Sequence, residues 1–210
     1  MESVKSTAIV VGILALLIGG GIGYAAGNSS KDMDDNNTSM SQSETKMADD
    51  GVTVGGAKMV SSKDIVDNAV NASNVSTTVD LVKQAGLVDT LKSAGPFTVF
   101  APNNAAFDAV PKDLLSKVSG NNDLLKTVLT YHVVPGTYTS ADLRAMANSG
   151  ETLKTVQGAV LSFKIVDNKV TINDVAGQSI EIETADIVSS NGVTHVIKSV
   201  MLPVDPATIM

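Results

Sequence analysis

The sequence contains no cysteine and no tryptophan, and aromatic residues make up only 3% of its 210 residues. The absence of cysteine excludes disulfides, thiolate metal sites, cysteine nucleophiles and a lipid-modified N-terminal cysteine. The net charge of −7 and the scarcity of rings argue against nucleic-acid binding, which uses a basic surface and stacking side chains. Because 43% of the residues are hydrophobic, the chain can still build a core, and that core must be aliphatic.

An apolar run near the N-terminus predicts a membrane segment. Residues 7–26 form 20 consecutive residues without a charged side chain, and a helix of about 20 residues spans roughly 30 Å, the thickness of a bilayer core. We interpret residues 1–27 as a signal anchor, and Lys5 before the run favours a domain outside the cell. Two stretches, Gly23-Tyr24-Ala25 and Ala25-Ala26-Gly27, also fit the small-x-small pattern of a signal peptidase site, and cleavage there would release a secreted protein.

A polar tract follows this run and predicts a disordered acidic stalk over residues 28–60. Residues 28–50 carry six acids and two lysines and show no aliphatic period, so they cannot bury enough apolar surface to become ordered. The glycine-containing stretch Val52–Val60 is interpreted as a continuation of the stalk. On an exported chain, glycans could be attached at asparagines that begin N-x-Ser/Thr sequons, namely Asn28, Asn36, Asn37, Asn71 and Asn74.

The remaining chain carries helix signals first and strand signals later. Apolar periodicity and caps predict helices at 62–70, 78–85, 88–92, 113–118, 123–129 and 140–146, and a short one ending at Phe107. The predicted caps are Asn103-Asn104 for the short helix, Asn121-Asn122 before 123–129, and Ser140 for the last helix. Beta-branched runs predict strands at 97–101, 131–134, 152–156, 160–166, 169–172, 179–184 and 194–200, and Asp167-Asn168 between two of them predicts a hairpin. This order favours an α+β fold with a mostly antiparallel sheet over residues 61–203, followed by a tail at 204–210.

Three segments resemble the signature segments of fasciclin-like domains, in the family's order. They are Gly95–Phe107 (GPFTVFAPNNAAF), Leu129–Gly136 (LTYHVVPG) and Ala185–Pro203 (ADIVSSNGVTHVIKSVMLP). The resemblance covers the folded part and implies a wedge of β-strands flanked by helices. It also implies extracellular adhesion or matrix binding, and it marks Tyr131, His132, Asp186 and Ile187 as candidate binding residues. The alternative is that Tyr131, His132 and Ile187 pack inside and Asp186 caps a turn.

Catalytic and metal sites are not favoured by the residues present. The two histidines, His132 and His195, lie in dissimilar motifs, so a shared metal site is not expected. A triad of Ser189 or Ser190 with His195 and Asp186 can be drawn, but no G-x-S-x-G elbow accompanies it. We therefore expect no catalysis and no cofactor.

The expected function is that of a cell-surface binding domain on a single-pass membrane anchor, outside the cell. The expected ligand is an extracellular protein, a matrix component or a glycan, and nucleic acid is not expected. The alternative is a structural role in an envelope or biofilm, by self-association of identical chains. Gly19, Gly23 and Gly27 lie four residues apart on one helix face, along which two anchors could pack.

Overall fold

The structure is a computed structural model that describes residues 51–203. The predicted anchor, the stalk up to residue 50 and the tail at 204–210 lie outside the described residues. Within residues 51–203, no helix combines the length and apolarity needed to cross a bilayer.

Seven helices and nine strands make up the described part. The helices are α1 Ile65–Ala69, α2 Ser76–Gln84, α3 Val88–Lys92, α4 Asn104–Asp108, α5 Lys112–Gly120, α6 Asn122–Tyr131 and α7 Ser140–Ser149, with one 3₁₀ turn at Ser73–Val75. The strands are β1 Val52–Val54, β2 Ala57–Met59, β3 Phe97–Pro102, β4 Val133–Pro135, β5 Thr152–Lys154, β6 Val160–Val166, β7 Lys169–Asn173, β8 Ser179–Ser189 and β9 Gly192–Ile197.

Seven of the strands form one sheet in the order β4-β3-β9-β8-β7-β6-β5. All neighbours are antiparallel except β3 and β9, which run parallel with Phe97 opposite Gly192 and Pro102 opposite Ile197. The prediction of an α+β fold with a mostly antiparallel sheet is confirmed. The first and last signature segments thus become neighbouring strands at the centre of the domain.

The central strands are buried on both faces. On β3, Val99 and Ala101 join one apolar cluster with helices α1 to α6, whereas Phe100 joins a second cluster with α7 and strands β5 to β8. Val196 and Ile197 of β9 divide between the two clusters in the same way. Strands that are covered on both faces have nearly continuous apolar sequences, which explains the Phe-Thr-Val-Phe-Ala sequence of β3.

Gly192 allows β9 to pass close to β3. A Cβ at this position would lie 2.0 Å from the carbonyl oxygen of Phe97. No other residue fits without moving one of the two strands.

The two edges of the sheet lie against each other. Val156, just after β5, donates its backbone N–H to the carbonyl of Val133 in β4 at 2.8 Å. Gln157 likewise donates to Thr130 at 3.3 Å. Exposed sheet edges invite pairing with other chains, and this contact occupies part of the edge of β4.

Side-chain caps begin several helices where the sequence places them. Asn103 caps α4 by accepting from the Ala106 N–H at 2.8 Å. The cap of α7 is Thr139, in a reciprocal capping box with Asp142, rather than the predicted Ser140. The turn residues Asp167 and Asn168 both have positive φ and join β6 to β7, so the predicted hairpin is confirmed.

The stretch Val52–Val60 is not a continuation of the stalk, and that interpretation was wrong. Strands β1 and β2 form an antiparallel hairpin whose turn, Gly55-Gly56, has positive φ at both residues. Val54 and Met59 are each 3% exposed and belong to the apolar cluster that includes helices α1 to α6. The ordered domain therefore begins before Ser61.

The predicted strand over Tyr131–Val134 begins two residues too early. Tyr131 is the last residue of α6, and His132 follows in a helical conformation before β4 begins at Val133. The consequence is that Tyr131 and His132 do not alternate across a sheet, and both side chains are buried.

Candidate functional site

His132 binds two backbone groups with its two ring nitrogens. Nδ1 lies 2.7 Å from the carbonyl oxygen of Val128, to which it donates, and Nε2 accepts from the Met201 N–H at 3.0 Å. Burial lowers the pKa of His132 to about 4. The neutral ring therefore ties the end of α6 to the C-terminal segment of the domain.

Tyr131 is fully buried, and its ring meets that of His132 edge-on with centroids 6.5 Å apart. The phenol oxygen accepts the Val175 N–H at 3.0 Å, and burial raises the pKa of Tyr131 to about 12. Beside it, Asp174 accepts the Leu202 N–H at 3.2 Å. The Tyr-His pair and Asp174 thus anchor two loops from inside the core.

His195 is buried on β9, stacked on Phe100 with ring centroids 5.6 Å apart. Its Nε2 donates to the Tyr138 carbonyl at 2.8 Å, and its Nδ1 accepts the Asp186 N–H at 3.3 Å. Burial lowers the pKa of His195. Both nitrogens therefore bind backbone groups, which leaves neither to activate a serine.

The serines of the hypothetical triad have other partners. The hydroxyl oxygen of Ser189 accepts from the Asn68 side chain at 2.9 Å. Ser190 is exposed, and its backbone N–H donates to the Lys63 carbonyl at 2.8 Å. Among residues 51–203, no cluster of histidines and carboxylates could hold a metal ion.

Asp186 links β8 to the start of α7. Its carboxylate accepts the backbone N–H of Ser140 at 2.7 Å and also the hydroxyl of Ser140. Asp186 has a φ of 58°, a conformation that aspartate tolerates better than most residues. It is half-buried, so part of its surface is open to solvent.

Of the four candidate binding residues, three lie in the interior. Tyr131, His132 and Ile187 are at most 3% exposed, whereas Asp186 reaches the surface. This is the packed arrangement of the alternative interpretation. In this conformation a macromolecular partner could touch only Asp186, and any effect of the others on binding would act through the loops they hold.

Beside Asp186 lies a groove that sequence reasoning missed. The ladder between β7 and β8 ends at the pair Thr171–Glu181, and beyond this point β7 pairs only with β6 and β8 only with β9. The open gap has a volume of about 400 Å³. Its walls come from α7, the β6–β7 turn with β7, and β8: Ser140, Ala141, Arg144; Asn168, Lys169, Val170; and Ile182, Glu183, Ala185. No local sequence signal marks it, because it depends on where two strands diverge.

The two sequons within residues 51–203 differ in accessibility. Asn71 is exposed, and only its side-chain nitrogen has a partner, the Asp67 carbonyl at 3.4 Å. Asn74 is half-buried in the 3₁₀ turn, and its side-chain oxygen is buried without a hydrogen bond. Asn28, Asn36 and Asn37 lie outside the described residues.

Comparison with known proteins identifies the family. The model of the fasciclin domain matches residues 73–203, more than half of the chain. The protein belongs to the fasciclin domain family. The match includes the three segments from which the resemblance was drawn.

Relatives of this fasciclin protein occur in bacteria and animals. Protein sll1483 of Synechocystis sp. is 39% identical over 166 residues, which cover 78% of this chain and 87% of the relative. Immunogenic protein MPB70 of Mycobacterium bovis is 38% identical over 57% of this chain and 56% of the relative. Transforming growth factor-beta-induced protein ig-h3 of Sus scrofa is 34% identical over 66% of this chain, but that alignment covers only 19% of ig-h3.

A solved structure shares the fold. A FAS1 domain pair from the insect cell adhesion molecule Fasciclin I superposes with a TM-score of 0.59 at 20% identity. The match covers 68% of this chain and 52% of the domain pair. At this identity the likeness extends to the fold alone.

Proposed function

We propose that this fasciclin protein is an extracellular adhesion or matrix-binding domain that acts by binding rather than by catalysis. The observation that carries the proposal is the match of the fasciclin domain to residues 73–203. The fold of the insect cell adhesion molecule Fasciclin I supports it at the level of architecture. The ligand would be an extracellular protein, a matrix component or a glycan.

The arrangement of reactive side chains supports a non-catalytic role. The ring nitrogens of His132 and His195 are all bound to backbone groups, and the Ser189 hydroxyl is held by Asn68. A histidine that acts as a general base needs a free ring nitrogen within reach of the group it deprotonates. These polar side chains instead stabilise the core.

We further propose that residues 7–26 hold the domain at the outer face of the cell membrane. The support is the length of the uncharged run, which equals the thickness of a bilayer core. Many copies on one membrane would raise the effective concentration of weak binding sites without new contacts. Membrane fractionation with N-terminal sequencing tests this point, since a mature chain that begins after residue 27 and leaves the membrane would contradict it.

An adhesion assay tests the central proposal. The full chain is immobilised on beads at high density and presented to cells, matrix proteins and glycan arrays, with beads carrying an unrelated acidic protein as the control. Adhesion above the control is the expected result. Absence of binding to all three would overturn the proposal, whereas clumping of the beads with one another would indicate self-association of identical chains instead.

A further inference from the structure

The gap between β7 and β8 presents two strand edges that have no partner across it. On one side are Lys169 and Val170 of β7, and on the other is the stretch Ile182–Ala185 of β8. A stretch of four residues spans about 13 Å at the rise of a β-strand. Strand edges of this kind bind extended peptides through main-chain hydrogen bonds, and pockets for alternate side chains of the peptide give specificity.

The groove also contains the single arginine of the sequence. Arg144 is half-buried on α7, and its two terminal nitrogens donate to the side-chain oxygen of Asn168 at 3.2 Å and to its carbonyl at 2.6 Å. Asn168 is itself fixed in the left-handed turn between β6 and β7. The guanidinium is therefore held in one orientation before any ligand arrives.

Arg144 lacks a counter-ion among the described residues. No carboxylate of residues 51–203 lies within ion-pair distance of it. Of the other charged side chains that line the groove, Lys169 forms an ion pair with Glu181, and Glu183 accepts a hydrogen bond from the neutral side chain of Asn103. The guanidinium of Arg144 thus has no carboxylate partner, and its two bonds to Asn168 leave other guanidinium N–H groups free.

We propose that this groove binds an extended segment of a partner protein that carries an acidic side chain. The partner would pair with the open edges of β7 and β8, and its carboxylate would bind the guanidinium of Arg144, a pairing that forms strong charge-assisted hydrogen bonds. Val170 and Ile182 add aliphatic surface to the groove lining, which a neighbouring apolar side chain of the partner would contact. This inference rests on the proposed binding function and names the surface that performs it.

A pair of matched peptides tests the charge requirement. The probes are fluorescein-labelled Thr-Glu-Val-Glu-Thr, blocked at both ends, and its twin with glutamine at both glutamate positions; anisotropy is measured with the full chain. We expect the glutamate peptide to bind about tenfold more tightly than its twin, the effect of one charge-assisted hydrogen bond. Equal affinities, or no binding of the glutamate peptide at millimolar concentration, would overturn the proposal.

Variants of the chain locate the site. Arg144→Gln should remove the difference between the two peptides, while Lys83→Gln, which changes the same charge on α2 outside the groove, should preserve it. Because Arg144 also ties α7 to the β6–β7 turn, Arg144→Lys is included as a variant that keeps the charge but loses the planar guanidinium. Its preference for the glutamate peptide should lie between those of the unaltered chain and Arg144→Gln. If Arg144→Gln is folded and still distinguishes the peptides, the groove is not the site.

A methylated peptide tests the strand pairing, and an adhesion assay separates the two proposals. Methylation of the valine amide removes a main-chain donor and should weaken binding severalfold; unchanged affinity would contradict pairing with the strand edges. In the bead assay, a folded Arg144→Gln chain that adheres as well as the unaltered chain would reject this groove but leave the adhesion function standing.

Discussion

The side-chain oxygen of Asn191 accepts a hydrogen bond from the backbone N–H of Ile65 at 3.0 Å, across 126 positions of the sequence. The side-chain nitrogen of Asn191 donates to the carbonyls of Leu91, at 2.7 Å, and Ser93, at 2.9 Å. Asn191 is 8% exposed, so these backbone groups have little access to water. One amide therefore holds together the start of α1, the end of α3 and the turn before β9.

Replacing Asn191 with alanine should destabilise the domain by about 3 kcal/mol, because three partly buried backbone groups would lose their partner. The measurement is urea unfolding followed by circular dichroism. Asn71→Ala is the matched control, since Asn71 is exposed and makes one bond, of 3.4 Å. Equal stability of the two variants would show that the hydrogen bonds of Asn191 contribute nothing.

Stability should fall as the pH is lowered from 6.5 towards 4, because His132 is buried in its neutral form. In this window the unfolded chain binds a proton that the folded chain cannot, since burial lowers the pKa of His132 from 6.5 to about 4. The loss from this group amounts to about 3 kcal/mol. Urea unfolding at a series of pH values measures it.

The comparison with His132→Gln isolates this contribution. His195, whose pKa burial also lowers, acts in the same direction, and Asp174, whose pKa burial raises, acts in the opposite one. Both remain in the variant, so they cancel in the difference between the two pH profiles. The variant should lose less stability than the unaltered chain below pH 6.5, and parallel profiles would contradict the assignment.

Gly192→Ala should prevent the close approach of β9 to β3. The new Cβ would meet the Phe97 carbonyl oxygen at 2.0 Å, and moving it away breaks the central parallel pair. We expect a loss of about 3 kcal/mol or more. Gly120→Ala is the control, because nothing lies within 4 Å of its Cβ position. It should be neutral or slightly stabilising in α5, and thermal unfolding of both variants checks the contrast.

Asp186→Ala should cost about 2 kcal/mol, since it leaves Ser140 without its carboxylate partner and places alanine in a left-handed conformation. Asp186→Asn should cost about half as much, because asparagine tolerates this backbone and keeps one acceptor. The urea concentration at the midpoint of unfolding measures both effects, provided that the dependence of the unfolding free energy on urea is the same for all variants. A larger loss for asparagine than for alanine would contradict the role given to the hydrogen bonds.

Elements with strong local signals could be predicted from the sequence. The helix Val88–Lys92, the caps of α4 and α6, and the hairpin at Asp167-Asn168 depend on residues close in the chain, and all are present. Their agreement reflects local hydrogen bonds that side chains such as Asn103 make with nearby backbone groups.

Three features of the structure differ from what the sequence predicts or are not predicted by it. The glycines of the β1–β2 segment predict a linker, although a Gly-Gly turn between two strands is itself a hairpin signal. The β propensity of the Val-Val run predicts a strand that includes Tyr131, but helix α6 continues through Tyr131, whose buried hydroxyl accepts the Val175 N–H. The groove beside Arg144 depends on the register of three strands, which no single segment specifies.

The parallel pairing of β3 with β9 sets the order in which the domain can be built. Phe97 and Gly192 are neighbours in the sheet, yet more than half of the described chain separates them. Distant pairings of this kind slow folding, since a long loop must close before any contact forms. During synthesis the seven-stranded sheet therefore stays incomplete until β9 has left the ribosome. Until then Phe100 of β3, which is one of the most deeply buried side chains of the folded domain, stays accessible to chaperones and proteases.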